Sequence, residues 1–194
     1  MKTMDERYWD ERYLTGQTGW DIGYASPAIT DYFSGPVNRE LRILIPGCGN
    51  AHEAVWLHRN GYTRVFLLDI ASSPLENFRR QVPDFPESQL IHSDFFEHHG
   101  TYDLIIEQTF FCALDPGLRK DYVRKTAELL SPGGHLTGVL FNTVFEQEGP
   151  PFGGHREEYE RLFEERYIIR RMEPCDSSIP PRAGRELFIE LVRK

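Results

Sequence analysis

The chain has 194 residues and a formal net charge of −8, enough length to bury the core of one domain but no basic excess to hold a nucleic-acid backbone. No apolar run approaches the roughly 20 residues that cross a bilayer, and the charged stretch from Met1 to Asp10 lacks the apolar segment of a secretory signal. Cys48, Cys112 and Cys175 are odd in number and widely spaced, which fits reduced thiols of a cytoplasmic protein better than a disulfide frame or a zinc site, so no metal is expected.

From Leu41 onward, short apolar runs alternate with helical segments, the pattern of a parallel α/β sheet. Leu41 to Ile45 is a strand stopped by Pro46. Asn50 is then placed to cap a helix, with Glu53 at the capping-box position and Gly61 past its end. Val65 to Leu68 is a second, continuously apolar strand. Ser73-Pro74-Leu75-Glu76 opens the next helix with cap, first-turn proline and acid in order. Gln89 to His92 and Tyr102 to Glu107 are the third and fourth strands. A long helix from Asp115-Pro116 ends at Ser131-Pro132-Gly133-Gly134, and Leu136 to Phe141 is the fifth strand.

The tail differs. One amphipathic helix around Tyr159, Leu162 and Phe163 is followed by strands at Tyr167 to Met172 and Glu186 to Val192, with no helix between them. Strands joined in that way are more easily antiparallel than parallel. The expected fold is a Rossmann-like, seven-stranded, mostly parallel sheet with a C-terminal antiparallel strand pair and helices on both faces. Residues 1–194 read as a single domain, with an N-terminal segment over 1–38 and the core over 39–194. Arg161, Arg166, Arg170 and Arg171 are interleaved with glutamates and read as a solvated helix face, and His98-His99 as a surface turn.

Gly47-Cys48-Gly49 lies between a predicted strand and a predicted helix, where glycines let backbone approach a ligand closely. Asp69 ends the next strand about 20 residues on, where a carboxylate accepts both hydroxyls of a ribose. A dinucleotide fingerprint needs a third glycine where His52 stands, which disfavours an NAD-linked oxidoreductase. S-adenosylmethionine has no phosphate and tolerates the looser approach. Asp94-Phe95 after the third strand supplies a carboxylate for the adenine amino group and a backbone N–H for a ring nitrogen. Asp94 read by itself is equally well a turn or cap aspartate.

The N-terminal segment carries a family resemblance. Tyr8-Trp9-Asp10-Glu11-Arg12-Tyr13, Gly19-Trp20-Asp21-Ile22-Gly23 and Pro27 resemble the opening of the thiopurine S-methyltransferase family. The similarity is greater to its thiol and halide methyltransferase branch. It extends to Ile45-Pro46-Gly47-Cys48-Gly49, Phe110 to Pro116 and Gly149-Pro150-Pro151-Phe152. The resemblance implies a class I methyltransferase with S-adenosylmethionine bound by Trp9, Tyr13, Trp20, Gly47, Asp69, Asp94, Phe95 and Gln108. Tyr13 stands where such relatives often carry a third tryptophan. Gln108 replaces a tyrosine of the halide-type branch or an arginine of the thiopurine branch.

Aromatic faces attract a sulfonium cation, so with the resemblance Trp9, Tyr13 and Trp20 suit a lid over the site; without it they better suit a staple between an N-terminal helix and the core. Methyl transfer from sulfonium is an in-line displacement governed by alignment and exclusion of water, and no catalytic acid or base is assigned. Phe110, Phe111, Phe141, Phe145 and Phe152 form a Phe-rich set after strands four and five. Of these, Phe111, Phe141 and Phe152 are the candidate walls of a dry pocket for a soft nucleophile, and each read alone suits the core. Glu107 and Glu146 are carboxylates near that pocket, better read as partners of other groups than as bases. Arg185 either meets an anionic substrate or caps a loop.

The expectation is a methyltransferase acting on a small thiol, sulfide or halide. Its partners are a small-molecule substrate, with no nucleic acid and no membrane, and it is a monomer or weak dimer. The alternatives are an NAD-linked oxidoreductase and a non-catalytic protein that binds S-adenosylmethionine.

Overall fold

In the computed structural model, which describes residues 4–194, two helices precede the first strand: α1 (Glu6–Leu14) and α2 (Pro27–Ser34). Residues 1–3 of the expected N-terminal segment lie outside the described residues. The strands are β1 (Ile43–Pro46), β2 (Val65–Asp69), β3 (Leu90–His92), β4 (Tyr102–Gln108), β5 (Leu130–Phe141), β6 (Tyr167–Pro174) and β7 (Glu186–Arg193). They form one sheet of order β3-β2-β1-β4-β5-β7-β6. Neighbours among β1 to β5 pair in parallel, and β7 runs antiparallel to both β5 and β6. Only a one-turn 3-10 helix, Pro180–Arg182, lies between β6 and β7, so the chain has no crossover with which to make that pair parallel.

The remaining helices are α3 (His52–Arg59), α4 (Ser72–Gln81), α5 (Arg119–Leu129) and α6 (Arg156–Phe163). Alternation along the strands divides the core in two. Ile43, Ile45, Val65, Leu67, Leu104 and Ile106 pack with α2, α3 and α4. Leu44, Leu68, Ile105 and Leu136 pack with α5 and α6 on the opposite face. The order reverses at β1, whose neighbours are β2 and β4, and the C-terminal ends of these three strands carry Gly47, Asp69 and Gln108. Ligands of open α/β sheets bind at such a switch point.

Several local expectations are corrected. Asn50 does not cap α3: the cap position is Ala51, held at φ 52°, while the Asn50 side chain turns to Asp21. Glu53 accepts from Ser26 N at 2.9 Å rather than closing a capping box. α4 starts at Ser72, and the N–H of Ser73 is satisfied by Asp10 of α1 at 2.9 Å. The segment from Pro116 is a 3-10 turn over Pro116–Leu118 before α5 begins. β5 starts already at Leu130, because the stretch before Leu136 is absorbed in a register shift against β4 between Tyr102 and Leu104. Arg161 lies on α6 but Arg170 and Arg171 lie on β6, so their helix face is divided; Arg166 pairs with Glu165 and Arg171 with Glu173.

Candidate active site

The turn after β1 is shaped for close approach. Gly47 and Gly49 hold φ of 56° and 53°, a region that costs other residues strain. A Cβ on Gly47 would sit 2.2 Å from the Phe110 ring, and one on Gly49 would sit 2.7 Å from the Tyr13 hydroxyl. Ala51 and Thr109 also lie at positive φ (52° and 60°), and both line the same cavity. Strained backbone of this kind concentrates at functional sites.

Asp69 locks the turn. Its two oxygens accept from Gly49 N and Ala71 N, each at 2.9 Å, so one carboxylate joins the loops after β1 and β2. It is only 5% exposed, and burial raises its pKa to about 6 against the lowering effect of those two bonds. A ribose diol donating to it would supply what burial has removed.

A cavity of about 230 Å³ opens over this turn. Its walls include Trp9, Tyr13, Trp20, Gly47, Asp69, Asp94, Phe95 and Gln108, so the sequence-predicted cofactor residues surround one space. Asp94 accepts from Phe96 N at 2.7 Å, which makes it a turn aspartate that also faces the cavity. Phe95 is buried and edges onto Phe110, with ring centroids 5.1 Å apart. Gln108 ends β4, and its Oε1 is buried without a partner. An unpaired buried acceptor is costly, which makes it a natural contact for a ligand donor.

The N-terminal aromatics form an edge-on cluster above the turn. Trp20 meets Trp9 at 5.6 Å and Tyr13 at 5.8 Å, both T-shaped. Burial first, and then the charge of Asp69, raise the Tyr13 hydroxyl pKa far above its ordinary value, so it stays a neutral phenol. No side chain of α1 is fully buried, and Trp9 and Tyr13 are half-buried in the cluster. The helix is held by Asp10 at the start of α4 and by Glu6, 3.0 Å from His92. The next stretch is tied down at Asp21, which accepts from Gly23 N at 2.7 Å, from the Asn50 amide, and contacts His52 Nε2 at 2.8 Å. Burial pushes the Asp21 pKa up, but those bonds and His52 outweigh it and leave it below the usual range. Arg182, from the turn between β6 and β7, donates to the Trp20 carbonyl at 2.7 Å. This network was not legible in the sequence.

The predicted substrate-pocket residues Phe111, Phe141 and Phe152 do not line that cavity. Phe111 is 1% exposed and points into the core, against Tyr122, Tyr159 and Phe163. Its neighbour Phe110 lines the cavity instead. Phe141 lines a separate void of about 10 Å³ with Glu107, Cys112 and Glu186, and packs against Phe145. Phe152 lines neither; its backbone N–H donates to Cys112 O at 2.7 Å. The turn after β4 sends alternate phenylalanines to opposite sides, which residue type alone does not reveal. The cavity walls that sequence reasoning missed include Ile22, Tyr24, Leu114, Asp115 and Leu118.

Glu107 is fully buried, and its pKa is raised by that burial to about 7. One oxygen accepts from Phe110 N and Phe111 N (both 2.8 Å), and the other from the Tyr122 hydroxyl at 2.5 Å. It therefore braces the loop that carries Phe110. Glu146 is exposed, and Arg185 lies over the Phe145 ring at 5.0 Å, outside the cavity wall. His98 contacts the Tyr102 hydroxyl at 2.8 Å while His99 is exposed, and no cluster that could hold a metal occurs among the described residues. No helix among the described residues is long and apolar enough to cross a membrane.

A model of the family described as thiopurine S-methyltransferase matches residues 4–187. A protein named probable thiol methyltransferase 2, from Arabidopsis thaliana, is 30% identical over 188 residues, covering 92% of this chain and 81% of that relative. Thiocyanate methyltransferase 1 of Brassica oleracea is 31% identical over 159 residues, covering 78% and 69%. Among solved structures, the magnesium protoporphyrin IX methyltransferase of Synechocystis PCC 6803 with bound S-adenosylmethionine superposes with a TM-score of 0.75 at 13% identity, covering 100% of both chains. The glycine cradle, the buried Asp69 and the aromatic cluster suit that cofactor, and the chain belongs to the thiopurine S-methyltransferase family as an S-adenosylmethionine-dependent methyltransferase.

Proposed function

We propose that this enzyme methylates a small soft nucleophile, a thiol, sulfide or halide, by in-line displacement at the cofactor's methyl carbon. The observation that carries the reading is the Gly49–Asp69 cradle lying under the Trp9, Tyr13 and Trp20 cluster in one cavity. S-adenosylmethionine supplies a methyl group already activated on a sulfonium. The chain then has to bind, orient and dry the reactants.

In this reading Asp69 takes the ribose hydroxyls, and Asp94 with the Phe95 backbone takes the adenine edge. Gly47 gives room for the methionine portion, and Gln108 Oε1 accepts from its amine. Trp9, Tyr13 and Trp20 face the sulfonium, each contact being worth about 0.5–2 kcal/mol when desolvated. Residues 1–38 act as the lid of a single domain whose core is 39–194. No side chain is assigned as a base, since Glu107 is committed to three donors. The names of the plant relatives support a thiol-type acceptor. Three free, buried thiols support a reducing, cytoplasmic setting, and we read the enzyme as a monomer or weak dimer.

The test is to incubate the protein with S-adenosylmethionine and hydrogen sulfide, alkyl thiols, aryl thiols, thiocyanate or iodide, measuring S-adenosylhomocysteine and methylated product. Turnover of at least one thiol is expected. Calorimetric cofactor binding with no turnover across the panel would remove the acceptor class.

A further inference from the structure

Trp20 sits in a turn that its own residues close only in part. Asp21 N donates to Thr18 O at 2.9 Å, and Gly19 between them has nothing within 4 Å of where a Cβ would stand. That bond holds the N–H edge of the Trp20–Asp21 peptide. The opposite edge of the same planar unit, the Trp20 carbonyl, accepts from Arg182 Nη2 at 2.7 Å, from 162 residues away in the chain. With both edges held, the peptide plane is fixed, and with it the direction in which the Trp20 side chain leaves the backbone. Trp9 and Tyr13 both meet this indole edge-on, so it is the middle member of the cluster.

Arg182 is itself firmly placed. It ends the 3-10 turn Pro180–Arg182, whose two prolines have restricted φ. Its Nη1 lies 3.6 Å from Glu186 Oε1, and with side chains 12% and 5% exposed the ion pair is nearly dry. The guanidinium carbon also stands 5.7 Å from the centroid of the Phe141 ring. A planar guanidinium held on these sides loses little freedom in making one more hydrogen bond. Neither Arg182 nor Glu186 lines the cofactor cavity, whereas Trp20 does, so any effect of the pair on the cofactor passes through Trp20.

We propose that Arg182 is a positioning residue for the cofactor's sulfonium: through the Trp20 carbonyl it holds the indole where a cation binds, and so raises the preference of the site for S-adenosylmethionine over S-adenosylhomocysteine. The proposal rests on the reading above that Trp9, Tyr13 and Trp20 face the sulfonium. The two ligands share their adenosine and amino-acid portions and differ in the methyl group and the positive charge at sulfur. An aromatic face tells them apart by its attraction to that charge. A loosened fold, or a lid that closes less firmly, weakens both alike.

The experiment measures Kd of both ligands by calorimetry in wild type, Trp20→Leu, Glu186→Gln, and Arg182→Met combined with Glu186→Gln, with circular-dichroism melting to show that each is folded. Glu186→Gln accompanies the loss of the arginine because a buried carboxylate stripped of its cation destabilises the fold. Intrinsic differences between the ligands cancel when the ratio of Kd for S-adenosylhomocysteine to Kd for S-adenosylmethionine is compared between proteins. That ratio is expected to fall at least threefold in Trp20→Leu and in the double variant, within the about 2- to 30-fold of one desolvated cation–aromatic contact. In Glu186→Gln alone, which keeps the bond to Trp20, it should stay within twofold of wild type. A full fall in Trp20→Leu with a smaller one in the double variant overturns the inference and leaves the sulfonium reading standing. An equal fall in Glu186→Gln alone assigns the effect to the ion pair and likewise overturns it. A ratio unmoved in Trp20→Leu defeats the sulfonium reading and the inference with it. If the double variant melts below the assay temperature, Arg182→Gln, whose amide stops two bonds short of the guanidinium's reach to Trp20 O, is judged by the same threefold criterion.

Discussion

Replacing Asp69 by Asn separates the two duties of that carboxylate. In the folded protein each oxygen takes one backbone N–H, from Gly49 and from Ala71, both at 2.9 Å. Asparagine has a single carbonyl oxygen, so its amide nitrogen must face one of those donors. A buried N–H left without an acceptor costs about 1–3 kcal/mol. Removal of a charge that burial holds at a pKa of about 6 offsets part of this. For a domain of this size each kcal/mol moves Tm by roughly 2–4 °C, so a fall of a few degrees is expected. Cofactor binding suffers more, because hydrogen bonds to a charged acceptor are worth about 1.5–3 kcal/mol. That is about 10- to 150-fold in Kd. Calorimetric titration with S-adenosylhomocysteine, with circular-dichroism melting of the same sample, reads both numbers. A folded Asn variant that binds within twofold of wild type would refute the ribose role of Asp69.

Other outcomes follow from the same contacts. Because burial raises Asp69 to about 6, the carboxylate needed for ribose is lost as pH falls through that value, and cofactor affinity should drop between pH 6 and 5; a flat Kd over that window contradicts it. The ligand-free protein should behave oppositely. Its raised carboxylates, Asp69 at about 6 and Glu107 at about 7, bind protons more readily folded than unfolded, so stability falls as pH rises from about 4.5 to 7. Melting followed across that range checks the sign. Glu107→Gln should keep kcat within about fivefold, since the amide oxygen still accepts from Phe110 and Phe111 and its nitrogen can donate to the Tyr122 hydroxyl. A loss beyond a hundredfold without loss of stability would mean that Glu107 takes part in the chemistry. Asp10→Ala removes the acceptor for Ser73 N and should cost about 0.5–2 kcal/mol, as a helix cap does. It should also raise KM for the cofactor; an unchanged KM would sever α1 from the site.

What could be read from sequence was local. The strand-glycine-helix turn, and an acid one strand later, are short patterns with their own chemistry, and Gly47 and Asp69 fall where those patterns put them. The seven strands and the antiparallel return followed from apolar runs and from the missing helix before β7. Several misreadings involve partners distant in the chain. Asn50 carries the pattern of a helix cap, yet Asp21 takes its amide, 29 residues away. Ser73 looked self-capping, yet Asp10 reaches its N–H from 63 residues away. Phe110 and Phe111 are chemically identical, and it is the turn after β4, braced by Glu107 at both their N–H groups, that puts Phe110 on the cavity side and Phe111 in the core.

No side chain of helix α1 is fully buried; polar pins at Asp10 and Glu6 hold it, and its Trp9 and Tyr13 meet Trp20 edge-on. Lifting of α1, on the lid reading, would therefore need no rearrangement of the strands. If α1 serves as the proposed lid, replacement of spent cofactor is timed by the contacts at Asp10, Glu6 and Tyr13 rather than by the global stability of the molecule. Strengthening the interior should leave the exit rate of S-adenosylhomocysteine alone, and loosening those pins should speed it.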